Sequence, residues 1–308
     1  MTKIKLFNFI LFMNFIIYIF SNLIIFKYVT QSTYYVFYMC LRDIILFLFS
    51  IALYLNFYNS RISSMLVFPK LNGKIIKNSI IIGVSFYLIA NGANLIFTSI
   101  FKFTLGNGFY LNSIYIKDYF GFEFIVYIFI HTIFTELFFR CILKDAFRFL
   151  SNKSRLILTS IIFSFFFFGL SQIVYGFIIG ILLMSFLDRI GSVTTIIITS
   201  LTINIADYFV RVIGNNFTQT LISYKTFFKS TDVFVNLIFP IIIILIGMII
   251  YSILRENINI NTKSVSALPP NVKEGNFNTS IDSVADIYIL LFFVTYFIIT
   301  FIGYKISL

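Results

Sequence analysis

Residues 118–143 read DYFGFEFIVYIFIHTIFTELFFRCIL. As a helix this stretch rises about 39 Å, enough to cross a bilayer with some tilt. Phe and Ile occupy every face, so no side of the helix suits water, and a helix apolar all round is either a membrane span or buried in a core. Yet it carries Glu123, His131, Glu136 and Arg140. Ionisable groups at membrane depth are costly and mark functional or paired positions. Glu136 and Arg140 stand four residues apart with the glutamate first, the order that favours pairing within a helix. Arg140 is near enough to the inner end for its guanidinium to snorkel to the surface. Glu123, near the outer end, has headgroups within reach. His131 lies one turn before Thr135 on the same face.

The rest of the chain agrees with a membrane reading. Of 308 residues, 59% are hydrophobic and 11% charged, with a mean hydropathy of +0.98. Soluble domains carry about 25% charged residues. The fold class is therefore an all-α, polytopic transmembrane helix bundle, and the lipid bilayer is its first partner. An excess of Phe, Ile, Asn and Lys is the bias of AT-rich codons and points to a bacterial source. The net charge of +11 does not indicate nucleic-acid binding. The cations sit in short loops between apolar runs, where they set orientation and meet lipid headgroups. Cys40 and Cys141 fall in separate apolar runs with no framework spacing, which suits small buried hydrophobes rather than a disulfide or a metal site. The first apolar run is too long for a signal peptide and has no small-residue cleavage site.

Apolar runs place candidate spans at 6–27, 34–58, 78–101, 118–143, 156–170, 172–188, 193–212, 233–254 and 286–304, eight or nine in all because the fifth and sixth share a junction at Gly169 to Gln172. Of the 23 Lys and Arg residues, an N-terminus-inside arrangement puts fourteen on the inner side and seven on the outer. Arg42 and Arg140 stay within spans. That asymmetry predicts a cell-membrane protein with a cytoplasmic N-terminus and an outer C-terminus. Three stretches follow: helices and a basic loop over 1–77, a central membrane core over 78–212, and C-terminal helices over 213–308. The last contains a polar Asn-, Ser- and Pro-bearing loop at 257–285.

Further polar groups lie within the spans. Arg42 and Asp43 are adjacent, about 100° apart on a helix, so they are not expected to face one partner directly. Asn204 and Asp207 precede Arg211, and Asp207 has Arg211 one turn on. A transporter-like bundle would use Arg42, Asp43 and Asp207 as pathway residues, but no inverted repeat is visible. A zinc centre needs several converging ligands; with a single histidine, no cofactor is expected. No GxSxG motif occurs, and Gly-rich phosphate loops are absent.

Three short motifs in order give a more specific reading. Thr135-Glu136-Leu-Phe-Phe-Arg140, Phe163-Ser-Phe-Phe-Phe167 and Ser200-Leu-Thr-Ile-Asn204 fall on three separate core segments. Between the last two, SQIVYGFIIG (171–180) leads to an Asp-Arg-x-Gly-Ser turn at 188–192. This order resembles the CPBP family, the CAAX-protease and bacteriocin-processing membrane proteins also called the Abi family. Its motifs are Glu-Glu-x-x-x-Arg, Phe-x-x-x-His and His-x-x-x-Asn. A rival register starts the second motif at Phe168 and puts Gln172 at the His position. The resemblance covers about a third of the chain and implies a glutamate-dependent intramembrane endopeptidase. Glu136, Arg140 and Asn204 are the retained positions. Thr135, Phe167 and Ser200 stand where the family has Glu, His and His. Glu136, Phe167 and Ser200 would lie very roughly 12–18 Å from the inner ends of their helices, a level suited to one cavity.

A general base must titrate near working pH, and neither threonine nor phenylalanine does. The expectation is a pseudoprotease that binds a peptide, a prenylated protein or a bacteriocin-like membrane partner without cutting it, in self-immunity or maturation. The alternative is an active endopeptidase rebuilt from Glu136, with His131 substituting for a lost histidine and Asn204 retained.

Overall fold

In a bilayer every backbone N–H and C=O must be bonded within its own segment, so apolar runs of this kind fold as helices. The structure, a computed structural model, describes residues 3–28, 34–58, 72–105, 122–147, 150–166, 170–224, 237–257 and 287–296. Every regular element among them is helical. They are α1 (Lys3–Tyr28), α2 (Tyr35–Tyr58), α3 (Gly73–Leu105), α4 (Phe122–Glu136), α5 (Asn152–Phe165), α6 (Leu170–Ile190), α7 (Val193–Tyr224) and α8 (Phe239–Asn257). A last helical run, α9, covers Ile287–Tyr296. Beyond Glu136, α4 continues through a π-helical stretch, Leu137–Ile142, and a closing turn, Leu143–Ala146.

Among the described residues, five helices are long and apolar enough to cross a membrane: Val36–Asn56, Gly73–Ile100, Phe124–Ala146, Gln172–Ile190 and Val193–Val210. Lys5–Ser21, Phe239–Arg255 and Ile287–Tyr296 are apolar but shorter. Together these eight helical runs fall on eight of the nine expected stretches, five of them at full spanning length among the described residues. The run expected as a span at 156–170 is α5, which begins earlier, at Asn152, and takes Lys153 and Arg155 into its first turns. Its 14 residues rise only about 21 Å. Ser151 starts it, its hydroxyl accepting from Ser154 N–H. The span placed at 118–143 is described from Phe122 onward. The polar stretch at 257–285 lies, past Asn257, outside the described residues.

Several polar side chains are buried beside the apolar core, while large apolar ones face outward. Asn8, Asn14, Asp43, Ser50, Glu136, Arg140, Thr199 and Ser200 are buried, while Phe20, Ile45 and Ile253 are each 62% exposed. An outer surface of large apolar groups around inward polar ones is what lipid demands. One buried apolar cluster runs from Phe7 to Tyr296, so the stretches 1–77, 78–212 and 213–308 share a core.

Named contacts fix the relative directions of the helices. Phe7 meets Tyr54 and Asn14 meets Ser50, so α1 and α2 are antiparallel. Asp43 meets His131 and Tyr54 meets Asp145, so α2 and α4 are parallel. Arg140 meets Gly180 and Lys144 meets Asp188, which makes α4 and α6 parallel as well. The turn between α6 and α7 is built locally. Gly191 takes φ 70°, a left-handed conformation that only glycine adopts cheaply, and its N–H bonds Leu187 C=O at 2.7 Å. Ser192 then caps α7, its hydroxyl accepting from Thr195 N–H at 3.3 Å.

Candidate functional site

α4 carries polar groups to two neighbourhoods. Glu136 and His131 are five residues apart, about 140° around an α-helix, and they meet different partners.

Glu136 is 1% exposed. Arg140 Nε donates to its Oε2 at 2.9 Å, and Ser200 Oγ donates to its Oε1 at 2.8 Å. The guanidinium does not snorkel as its position suggested. It is itself 1% exposed, lies 4.8 Å from the centroid of the Phe163 ring on α5, and donates through Nη1 to Gly180 C=O on α6 at 3.5 Å. Pairing with Glu136 and a cation–π contact hold the charge inside more cheaply than stretching to the headgroups. Arg140 Nη2 is buried without a partner among the described residues. At Gly180 α5 and α6 pack tightly: a Cβ there would sit 2.9 Å from Ser160 Cα.

A second rung lies one turn away. Asn204 Nδ2 donates to Thr132 Oγ1 at 2.7 Å. Ser200 and Asn204 on α7 are thus matched with Glu136 and Thr132 on α4, four residues apart on each, and the two helices run antiparallel. Thr132 carries no mark in the sequence; the equal four-residue spacing was its only sign. Thr135, beside Glu136, is turned back on its own helix, its hydroxyl donating to His131 C=O at 2.7 Å and Thr132 C=O at 3.1 Å. Directly after Glu136 the helix widens, and Leu143 N–H reaches Phe138 C=O five residues back. π-helical turns of this kind gather at functional sites. Phe167 lies outside the described residues. Gln172, from the rival register, is half-buried.

His131 does not join Glu136. Its Nδ1 lies 2.6 Å from Asp43 Oδ2. Asp43 is fully buried, and its Oδ1 receives Arg42 Nε at 2.7 Å and Nη2 at 2.6 Å. This corrects the expectation for Arg42 and Asp43. The long arginine stem folds back onto the neighbouring carboxylate, and both residues reach α4, Arg42 through Tyr127 Oη at 3.5 Å. Arg42 also lies over the Tyr18 ring of α1, 4.5 Å from its centroid. The signal for this cluster was the four-residue spacing of Tyr127 and His131. Cys40 and Cys141 are free and buried. The side chains of Glu123 and Arg211 lie outside the described residues.

At one end of the bundle, Lys144 and Arg155 approach Asp188 at 2.7 and 3.6 Å, Tyr54 donates to Asp145 at 2.7 Å, and Arg189 donates to Tyr251 at 3.4 Å. No family model, curated protein or solved structure matches the chain.

Proposed function

We propose that this chain is a CPBP-type membrane protein that has given up catalysis and binds a membrane peptide or partner protein without cleaving it, as in bacteriocin self-immunity or maturation. The observation that carries this reading is the state of Glu136. Both of its oxygens are bonded, one to Arg140 and one to Ser200, and the group is closed from solvent. A general base must reach the water it activates. Thr135 cannot take over, because its hydroxyl is committed to its own helix. Ser200 and Asn204, at the third-motif positions, serve as contacts that tie α7 to α4.

An active endopeptidase is the second reading. It draws on the carboxylate of Glu136 standing against Ser200 one turn from Asn204, with Arg140 Nη2 unpartnered among the described residues. Challenge of cells with membrane-active peptides separates the two. If the chain binds without cutting, cells expressing it are protected, the peptide is recovered at full mass, and Thr135→Ala protects as well as wild type. A processed peptide that disappears with Glu136→Gln, in a variant that still inserts and unfolds cooperatively, refutes the non-catalytic reading. The same assay with a prenylated substrate tests the CAAX-type variant.

A further inference from the structure

The polar knot around Asp43 uses none of the residues placed in the Glu136 site, and its chemistry stands on its own. His131 is held at one ring nitrogen only. Nδ1 lies against Asp43, with Tyr127 Oη 3.5 Å away, while Nε2 has no partner among the described residues and the side chain is 31% exposed.

Counting donors and acceptors places the proton. A carboxylate only accepts. Asp43 Oδ1 takes both donors of the Arg42 fork, which fits the ionised group. Its bond to His131 at Oδ2 then needs the hydrogen on Nδ1. A neutral imidazole with Nδ1–H has its lone pair on Nε2, the open edge of the ring. A carboxylate that fixes the tautomer and turns the other nitrogen outward is the arrangement used to prime histidine as a base or ligand.

A metal ion is the poorer occupant, since no three His, Cys, Asp or Glu side chains converge among the described residues. A proton needs only the lone pair. His131 is nine residues into α4 from Phe122, about 13 Å along the axis, well inside the helix. The titratable and charged groups around it are Cys40, Arg42 and Asp43 on α2, Tyr18 on α1, and Tyr127 on its own helix; α7 carries Asp207 and Tyr208, with Tyr208 stacked on Phe124.

We propose that Asp43, Arg42 and His131 form an intramembrane proton-binding site that loads one proton at His131 Nε2. The step transfers a proton from hydronium: an N–H bond forms at Nε2, an O–H bond breaks, water departs, and nothing is oxidised or reduced. The cluster passes from neutral to a single positive charge. The imidazolium rests against the Asp43 carboxylate, with the Tyr127 ring 5.4 Å away between centroids to receive the charge on its face. Ionisable chains of this kind mark proton paths through membranes.

The chain has a single histidine, so ¹⁵N-histidine labelling of the full chain in lipid nanodiscs reads this site alone. At about pH 9 the spectrum is expected to show the Nδ1–H tautomer with unprotonated Nε2, converting in one step to imidazolium on acidification to about pH 4. Asp43→Asn is expected to release the bias and populate both tautomers. An Nε2–H tautomer in the wild type, or no conversion over that range, overturns the proposal. So does a folded Asp43→Asn with an unchanged tautomer, which would make the ring a bystander. A shift of Nε2 on addition of Zn²⁺ alone overturns it in favour of a metal site. Where Asp43→Asn fails to fold, the wild-type tautomer and titration decide.

Discussion

Glu136 and Arg140 each depend on the other. A buried ion pair contributes little net stability, but removing one partner strands the other charge at a cost of about 3–5 kcal/mol. Glu136→Gln is therefore expected to lower the thermal midpoint in detergent sharply, while Glu136→Leu combined with Arg140→Met recovers most of the loss. If the single and double variants fall equally, the pair is not the unit of stability. Ser200→Ala removes one hydrogen bond to a charged acceptor, about 1.5–3 kcal/mol, and its effect should vanish in the Glu136→Leu background. Of these partners the first is legible by a local rule, and the motif order puts Ser200 at the level of Glu136. Glu136 and Arg140 meet because four residues span one helical turn, a local rule. Arg42 and Asp43 defeat the same kind of rule, because it treats a side chain as a direction and ignores the reach of an arginine. Asp43 and His131 lie 88 residues apart, a distance at which only the folded packing decides who meets whom.

α4 is the element on which both polar knots hang, and its π-helical stretch, which follows His131 and Glu136, sets how Glu136 is phased with the Lys144 end. Glu136 lies before the widening and Lys144 after it, yet one faces Ser200 and the other Asp188. Deleting Leu137 would turn the two halves by about 100° relative to each other. The expected result is loss of one set of contacts, seen as a lower midpoint and as failure of a disulfide between paired cysteines at positions 144 and 188. No Gly or Pro announces the π turn in LFFRCI, so it could not be read from the sequence. Gly180→Ala is a second probe. Its methyl would press on the Ser160 backbone, so a loss of about 1–3 kcal/mol is expected with a weaker Arg140 to Gly180 contact.

For the molecule as a whole, the helical class is legible because apolar composition leaves the backbone no other way to satisfy itself. The bounds of a span are less so, because a hydropathy window reads α5 without seeing where its first turn starts. The orientation proposed from loop charges puts the Lys144, Arg155 and Asp188 end in the cytoplasm. With Cys40 and Cys141 replaced by Ser, Lys153→Cys is expected to resist a membrane-impermeant maleimide in intact cells and to label in inverted vesicles. Labelling in intact cells would reverse the proposed topology.

Asp43 and Glu136 each carry a counter-cation on the same helix, Arg42 beside Asp43 and Arg140 one turn after Glu136. During synthesis Ser200 emerges sixty-four residues after Glu136, and His131 eighty-eight after Asp43. A helix released toward lipid with a lone carboxylate would have to wait beside the translocon for those partners. Because Arg42 offsets Asp43 and Arg140 offsets Glu136, neither carboxylate has to enter the bilayer as a lone charge, and the later helices dock onto pairs already made.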